Sequence, residues 1–260
     1  QIASLIEREQ GKPAAEAYAL EILPSLAALR HLERHAGAML RDEEIDGQLL
    51  LLAHKEARLV YAPIGVVLVI TPWNYPWGLC LPTVAAALVA GDTVLLKPAP
   101  ATTLAGLAIG ALARDAGFPD GVVNVLAVED AQAAALVEDP RLGKIVFTGS
   151  VATGKKVMAA AARNLTPIVL ELGGKDAAIV CSDADLDRAA SGIVWAAFVN
   201  AGQTCAGVER GYVERAVAEG FVARVVAETR RLRLGAAGAG EVELGPLTRE
   251  RQRRVVAQQV

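Results

Sequence analysis

The chain has 260 residues, of which 53% are hydrophobic, 4% aromatic and 21% charged, with a formal charge of −3. At roughly 150 residues per domain, this length predicts one large domain or two modest ones, with a core big enough to fold without disulfides or metal. The apolar fraction and a mean hydropathy of +0.35 exclude a disordered solvating chain, and 26 basic against 29 acidic residues leave no charge excess for binding nucleic acid or a membrane surface.

Ile2–His35 is rich in Ala, Leu and Glu at helical spacing, which predicts two amphipathic helices around Pro24. His31 and His35 stand at i, i+4 there, but not in the His-Glu-x-x-His order of a zinc site, and no metal is expected. Glu43–Val60, with Gly47 before a Leu run, predicts two short strands. From Ile64 a rhythm sets in. Strand-like runs Val66–Ile70, Thr93–Leu96, Val122–Leu126, Lys144–Phe147 and Pro167–Leu170 alternate with helical segments Trp77–Val89, Thr103–Ala116, Ala131–Val137 and Gly154–Arg163. Such alternation predicts an α/β fold with an open parallel, Rossmann-like sheet built from βαβ units. A further strand, Ala177–Val180, is followed by an Asp-rich helix start (Asp183, Asp185, Asp187) and a helix to about Val199. Gly235–Gly240 reads as a flexible joint.

No spanning segment is expected: the longest apolar run, Ile64–Ile70, is far below the ~20 residues a membrane helix needs. The three cysteines, Cys80, Cys181 and Cys205, form no even framework, which fits a reducing compartment and predicts a cytoplasmic location. The chain opens at Gln1 without Met and closes inside a helix-like run, Arg249–Val260, so it reads as a piece of something longer.

In open α/β sheets, ligands bind beyond the carboxyl ends of the strands. Those ends carry Thr71-Pro72-Trp73-Asn74, Lys97-Pro98, Thr148-Gly149-Ser150 and Glu171. An amide, a cation, a Gly-Ser turn into a helix and a carboxylate are thereby expected on one edge. Thr148–Lys156 follows a strand and opens a helix, where free backbone N–H groups and the helix dipole favour a phosphate. It nearly matches the Walker pattern Gly-x4-Gly-Lys-Ser/Thr, but Lys156 stands where the hydroxyl belongs, and no Gly-x-Gly-x-x-Gly follows any strand.

Cys205 lies in Asn200-Ala201-Gly202-Gln203-Thr204-Cys205-Ala206-Gly207, a glycine-flanked loop. A thiol of ordinary pKa ~8.5 is a few per cent thiolate at neutral pH, enough for a nucleophile once positioned. Cys80 and Cys181, in apolar sequence surroundings, read instead as core residues. Glu171 sits between Leu170 and Leu172, where burial would raise its pKa towards the range of a general base; the competing reading is an ion pair with Lys175. Asn74, stiffened by Pro72 and Pro76, suits a preorganised amide donor, or else an ordinary turn cap.

Taken together, six stretches resemble the aldehyde dehydrogenase superfamily: Pro72–Pro76, Lys97-Pro98-Ala99, Phe118–Asn124, Phe147–Ser150, Glu171–Lys175 and Gly202–Cys205. The resemblance implies Cys205 as the nucleophile forming a thiohemiacetal, an oxyanion held by the Asn74 side chain and the Cys205 N–H, and Glu171 activating the water that releases the acid. Members that pass the acyl group to coenzyme A generally lack this glutamate, so the acid-forming type is expected. It also implies NAD or NADP as cofactor. Lys97, Ala99 and Pro100 would lie near the adenosine ribose, Gly121 near the adenine and Gly149-Ser150 at the pyrophosphate. Trp73, with Thr71, Pro72, Phe147, Thr148 and Leu172, would complete the cofactor contacts. Pro100 stands where NAD-preferring members carry Glu, which removes repulsion against a 2′-phosphate.

Relatives of this kind run to nearly twice the length, and their Glu-x-Phe-Gly-Pro segment has no counterpart here. By the resemblance, residues 1–40 and 62–173 form the cofactor domain, 41–61 an oligomerisation hairpin, and 174–260 the beginning of the catalytic domain. The expected partners are an aldehyde and further copies of the chain in a homodimer or homotetramer. The alternatives are a P-loop phosphotransferase and a non-catalytic cofactor-binding module.

Overall fold

The computed structural model describes residues 1–45, 54–236, 238 and 241–260. Helix α1 (Ile2–Gln10) stops at Gly11, whose φ of 73° is the left-handed cap that glycine adopts without strain. After Lys12-Pro13, α2 (Ala14–Ala17) runs through a π turn, Tyr18–Ile22, into α3 (Leu23–Met39). The break expected at Pro24 therefore lies at residues 11–13 instead. Leu23 N–H donates to Tyr18 C=O across the widened turn, which lets the helix absorb a proline that has no N–H of its own. Strands β1 (Glu43–Glu44) and β2 (Arg58–Leu59) pair antiparallel. The Gly47–Leu52 part of the expected hairpin lies outside the described residues.

Five parallel strands follow: β3 (Val66–Ile70), β4 (Thr93–Lys97), β5 (Val123–Val125), β6 (Leu142–Gly149) and β7 (Ile168–Leu172), in spatial order β5-β4-β3-β6-β7. Their crossovers are α4 (Cys80–Val89), α5 (Thr103–Asp115), α6 (Asp130–Val137) and α7 (Val151–Ala161). The order reverses between β3 and β6, and at such a switch point the crossovers diverge and leave a crevice above the carboxyl ends. Alternate side chains of β3 feed two cores. Val67 and Val69 pack with Ile6, Trp77, Val84 and Ile109, while Leu68 and Ile70 pack with Ile145, Phe147 and Val157. Burial on both faces is why these strands read as continuous apolar runs.

Strand β8 (Asp176–Val180), helix α8 (Leu186–Phe198), β9 (Val208–Val213), α9 (Ala218–Arg231) and α10 (Glu250–Gln259) complete the chain. β8 and β9 pair parallel, and a small core of Val180, Ala190 and Phe221 joins them to α8 and α9. Asp185 caps α8 by accepting from the Asp187 and Arg188 N–H groups, as the Asp-rich start predicts. Cys181 departs from expectation. It follows the last residue of β8 and is exposed, because the strand's buried alternation ends at Val180. The Gly235–Gly240 joint falls partly outside the described residues. Among the described residues no helix is long and apolar enough to cross a membrane.

Candidate functional site

A cleft of about 850 Å³ opens above the carboxyl ends of β3, β4 and β6, within the range of about 300–1,000 Å³ common for small-molecule sites. Thr71, Pro72, Trp73, Lys97, Ala99, Pro100, Phe147, Thr148, Gly149 and Ser150 all line it. These residues converge because parallel strands in register end together: Ile70 pairs with both Lys97 and Phe147. Ser150 caps α7, its Oγ accepting from Thr153 N at 3.3 Å, and both residues line the cleft, so the first turn of α7 lies at its edge. Gly149 is required by space, since a Cβ there would stand 2.6 Å from Cζ of Phe147. Lys97 is buried and its ammonium pairs with the exposed carboxylate of Asp130 at the start of α6. The donors, the cation and the volume suit a dinucleotide with its phosphates at α7.

Sequence reasoning missed a second wall. Asp130, Lys156, Arg249, Arg251 and Gln252 also line the cleft. The Arg249 guanidinium stands 5.7 Å from the centroid of the Trp73 ring. Partial burial pushes its pKa down, Asp130 opposes this and Arg251 adds to it. Nothing in the local pattern of Glu250–Gln259 indicates that one end of this helix docks against the sheet. The lysine that a Walker motif would need, Lys155, is not among the lining residues, and the phosphotransferase alternative is not favoured.

The Cys205 loop is held by bonds that span most of the chain. Asn74 Nδ2 donates to Gln203 O at 2.9 Å, and Asn200 Nδ2 donates to Asn74 O at 3.0 Å and to Gln203 O at 3.2 Å. The Tyr75 hydroxyl and Thr204 Oγ1 lie 2.7 Å apart. Glu16 Oε1 accepts from Asn200 N at 2.8 Å, and Gln203 Oε1 accepts from Thr248 N at 2.9 Å. Asn200, Ala201 and Gly202 are consecutive left-handed residues with φ of 56°, 56° and 72°. Only the third is a glycine, so the first two carry backbone strain that the surrounding bonds hold in place.

Cys205 is exposed on this loop and Cys80 is fully buried, where loss of solvation pushes its thiol up to about 12. Burial also raises the Tyr75 hydroxyl; the Thr204 contact opposes this, and the charges of Glu16, Glu21 and a Cys205 thiolate add to it. Asn74 is thus bonded to the loop that carries Cys205, while Cys80 is a core residue.

Three candidate residues stand elsewhere. Glu171 lies on β7, an edge strand, opposite Thr148, and it is exposed. The burial expected to tune it is absent, and so is the ion pair with Lys175, whose ammonium pairs with Glu209 instead. Gly121 precedes β5, at the amino edge of the sheet, and lines a separate hollow of about 260 Å³ with Arg114, Phe118 and Asp120. A residue at the start of a parallel strand is a sheet-length away from ligands at the other end. Leu172 packs beneath α7, where a Cβ on Gly154 would stand 2.7 Å from its Cδ2, so it supports the helix from below. Among the described residues no group of three or more His, Cys, Asp or Glu could hold a metal ion.

A parallel sheet in the order β5-β4-β3-β6-β7, with a cleft at its switch point, places the molecule among the doubly wound nucleotide-binding α/β proteins. The model of the aldehyde dehydrogenase family matches residues 1–260, and the chain belongs to that family. It is 37% identical over 251 residues to a 4,4'-diapolycopene aldehyde oxidase of Methylomonas sp., covering 96% of this chain and 47% of that protein. An NADP-dependent enzyme of E. coli superposes with a TM-score of 0.92 at 36% identity, covering 99% of this chain and 53% of that one. PnpE from Pseudomonas sp. WBC-3 gives a TM-score of 0.93 at 36% identity, covering 99% and 52%, and has also been solved in complex with nicotinamide adenine dinucleotide. The chain spans about half the length of the relatives it matches.

Proposed function

We propose that the protein of which this chain is part oxidises an aldehyde to a carboxylic acid with NAD or NADP. The observation that carries the reading is the bond from Asn74 Nδ2 to Gln203 O, which ties an amide donor to the loop of an exposed cysteine beside a nucleotide-sized cleft. An asparagine amide has two N–H groups. One holds the loop, and the other remains for an oxyanion.

The Cys205 thiolate attacks the carbonyl carbon, and the oxygen that gains the charge is held by Asn74 Nδ2 and the Cys205 N–H. When bound, the nicotinamide would supply a two-electron acceptor for the hydride lost from the thiohemiacetal carbon. The remaining thioester is attacked by water that loses its proton to Glu171, giving the acid and free Cys205. Thr71, Pro72, Trp73 and Phe147 would shape the cleft around the cofactor, Thr148, Gly149 and Ser150 its phosphate end, and Lys97, Ala99 and Pro100 its ribose end. Pro100 itself brings no carboxylate against a 2′-phosphate, and in the cleft Lys97, Lys156, Arg249 and Arg251 outnumber the carboxylates Asp130 and Glu138. NADP is therefore expected to be accepted at least as well as NAD.

Residues 1–40 and 62–173 act as the cofactor unit, 174–260 as the opening part of the catalytic unit, and 41–61 as a contact between subunits of a homodimer or homotetramer in the cytoplasm. A panel of aldehydes with either cofactor, following reduced nicotinamide in wild type and Cys205→Ala, tests the reading. Turnover untouched by that substitution would sink it. A strong preference for NAD would overturn the Pro100 argument alone.

A further inference from the structure

Beneath the Asn74 turn lies a buried ion pair that the reaction above does not use. Lys12 Nζ and Glu21 Oε1 are 2.5 Å apart, with side chains 1% and 0% exposed. The remaining valences of both groups go to one short segment. Lys12 Nζ donates to Asn74 O at 3.0 Å and stands 4.2 Å from the centroid of the Tyr75 ring. Glu21 Oε2 accepts from Trp77 N at 2.8 Å and Gly78 N at 3.1 Å. The ammonium thus holds the front of the Asn74–Gly78 segment while the carboxylate holds its back. Gln10 Nε2, at the end of α1, donates to Trp73 O just before it.

We infer that the Lys12–Glu21 pair is a positioning device, setting the direction of the Asn74 amide and, through Tyr75 and Thr204, the seat of the Cys205 loop. The inference rests on the aldehyde-oxidising reading and deepens it. A buried ion pair is a weak source of stability, because apolar residues of similar volume often replace it at no cost. What such a pair supplies is direction. Asn74 O accepts from Lys12 on one side and Asn200 on the other, so its peptide plane is fixed from both, and the side chain leaves that plane at a set angle. An oxyanion donor displaced by even 1 Å loses much of its effect, since the benefit depends on preorganisation. Burial pulls the Lys12 pKa down, and the charges of Glu21 and Glu16 restrain the fall.

The test uses Lys12→Met combined with Glu21→Gln, which removes both charges yet keeps an acceptor for the Trp77 and Gly78 N–H groups. The chain has four asparagines, so a spectrum of protein carrying 15N-asparagine resolves each side-chain amide, and Asn74→Ala assigns one. In the double variant the Asn74 amide signals are expected to shift and exchange faster, while those of Asn124 and Asn164 stay in place. kcat is expected to fall about tenfold to a hundredfold, with the aldehyde KM and cofactor Kd changed less than about twofold. In the Asn74→Ala background the same pair of changes is expected to cost less than about twofold further, because a residue acting through Asn74 has nothing left to position. Unmoved Asn74 signals, or equal losses in both backgrounds, would overturn the inference. If wild type oxidises no aldehyde, the aldehyde reading falls and the amide signals decide the positioning role by themselves.

Discussion

Around the cleft, the wall is made of residues next to one another in sequence at the ends of strands, and their convergence follows from parallel register. Around Cys205, the geometry depends on contacts between residues 126, 129 and 184 positions apart, and it includes two non-glycine residues held at positive φ. The first region is buried on both faces of a five-stranded sheet, whereas the second rests on two paired strands with a small core centred on Val180, Ala190 and Phe221. The cleft's geometry comes from backbone periodicity, and that of the Cys205 loop from long-range side-chain bonds.

The largest expected effect follows directly. Cys205→Ala should reduce aldehyde oxidation by ~10⁴-fold or more while leaving cofactor Kd, measured by fluorescence quenching, within about twofold. Equal damage to both would dissolve the distinction between the regions. Asn74→Ala should lower kcat by about 10²–10³, the usual loss for one oxyanion donor, with less change in KM. On the cleft side, Ser150→Ala removes the α7 cap. It should cost about 1 kcal/mol in urea unfolding and weaken cofactor binding, with kcat at saturating cofactor retained.

Smaller effects sharpen the contrast in strain. Ala201→Gly should stabilise the protein by ~0.5–1 kcal/mol, the left-handed penalty less the added chain entropy of glycine. Destabilisation would mean that the loop carries no strain at Ala201. The last prediction concerns alkaline pH. An unfolded Cys80 thiol titrates near 9.0, whereas the native one holds its proton to about 12. The native state therefore binds more protons in that window, and stability is full below pH 9 and declines as pH rises through it. Cys80→Ala should flatten that decline in thermal melts between pH 8 and 11. For the same reason, iodoacetamide near pH 7.5 should label Cys205 and Cys181 and spare Cys80.

How much was legible in the sequence divides along the same line. The strand runs, the Ser150 turn and the convergence of Trp73, Lys97 and Gly149 could be read, because a period of two buried on both faces leaves an unmistakable apolar block. The exposure of Glu171 could not be read, since two flanking leucines look the same on a central and on an edge strand. Pro24 was misleading for a related reason: a widened turn five residues long restores a helix that the proline alone would end. Gly121 stands close to the right strand but at its wrong end, a difference of two or three residues that separates opposite edges of the sheet.

The sequence by itself determined that this chain forms a parallel α/β sheet, that the Gly149-Ser150 turn opens α7 at a strand's carboxyl end, and that one of three cysteines, Cys205, sits in a glycine-flanked loop. Each of these depends on residues within one element, where propensity and periodicity act locally. Only the tertiary structure decided which amide is bonded to the Cys205 loop, which carboxylates are exposed, and that α10 forms a wall of the cleft. It alone also revealed Lys12 and Glu21 beneath Asn74. Such pairings depend on where distant segments meet, and burial, which sets the strength of every charge and hydrogen bond involved, exists only once they have met.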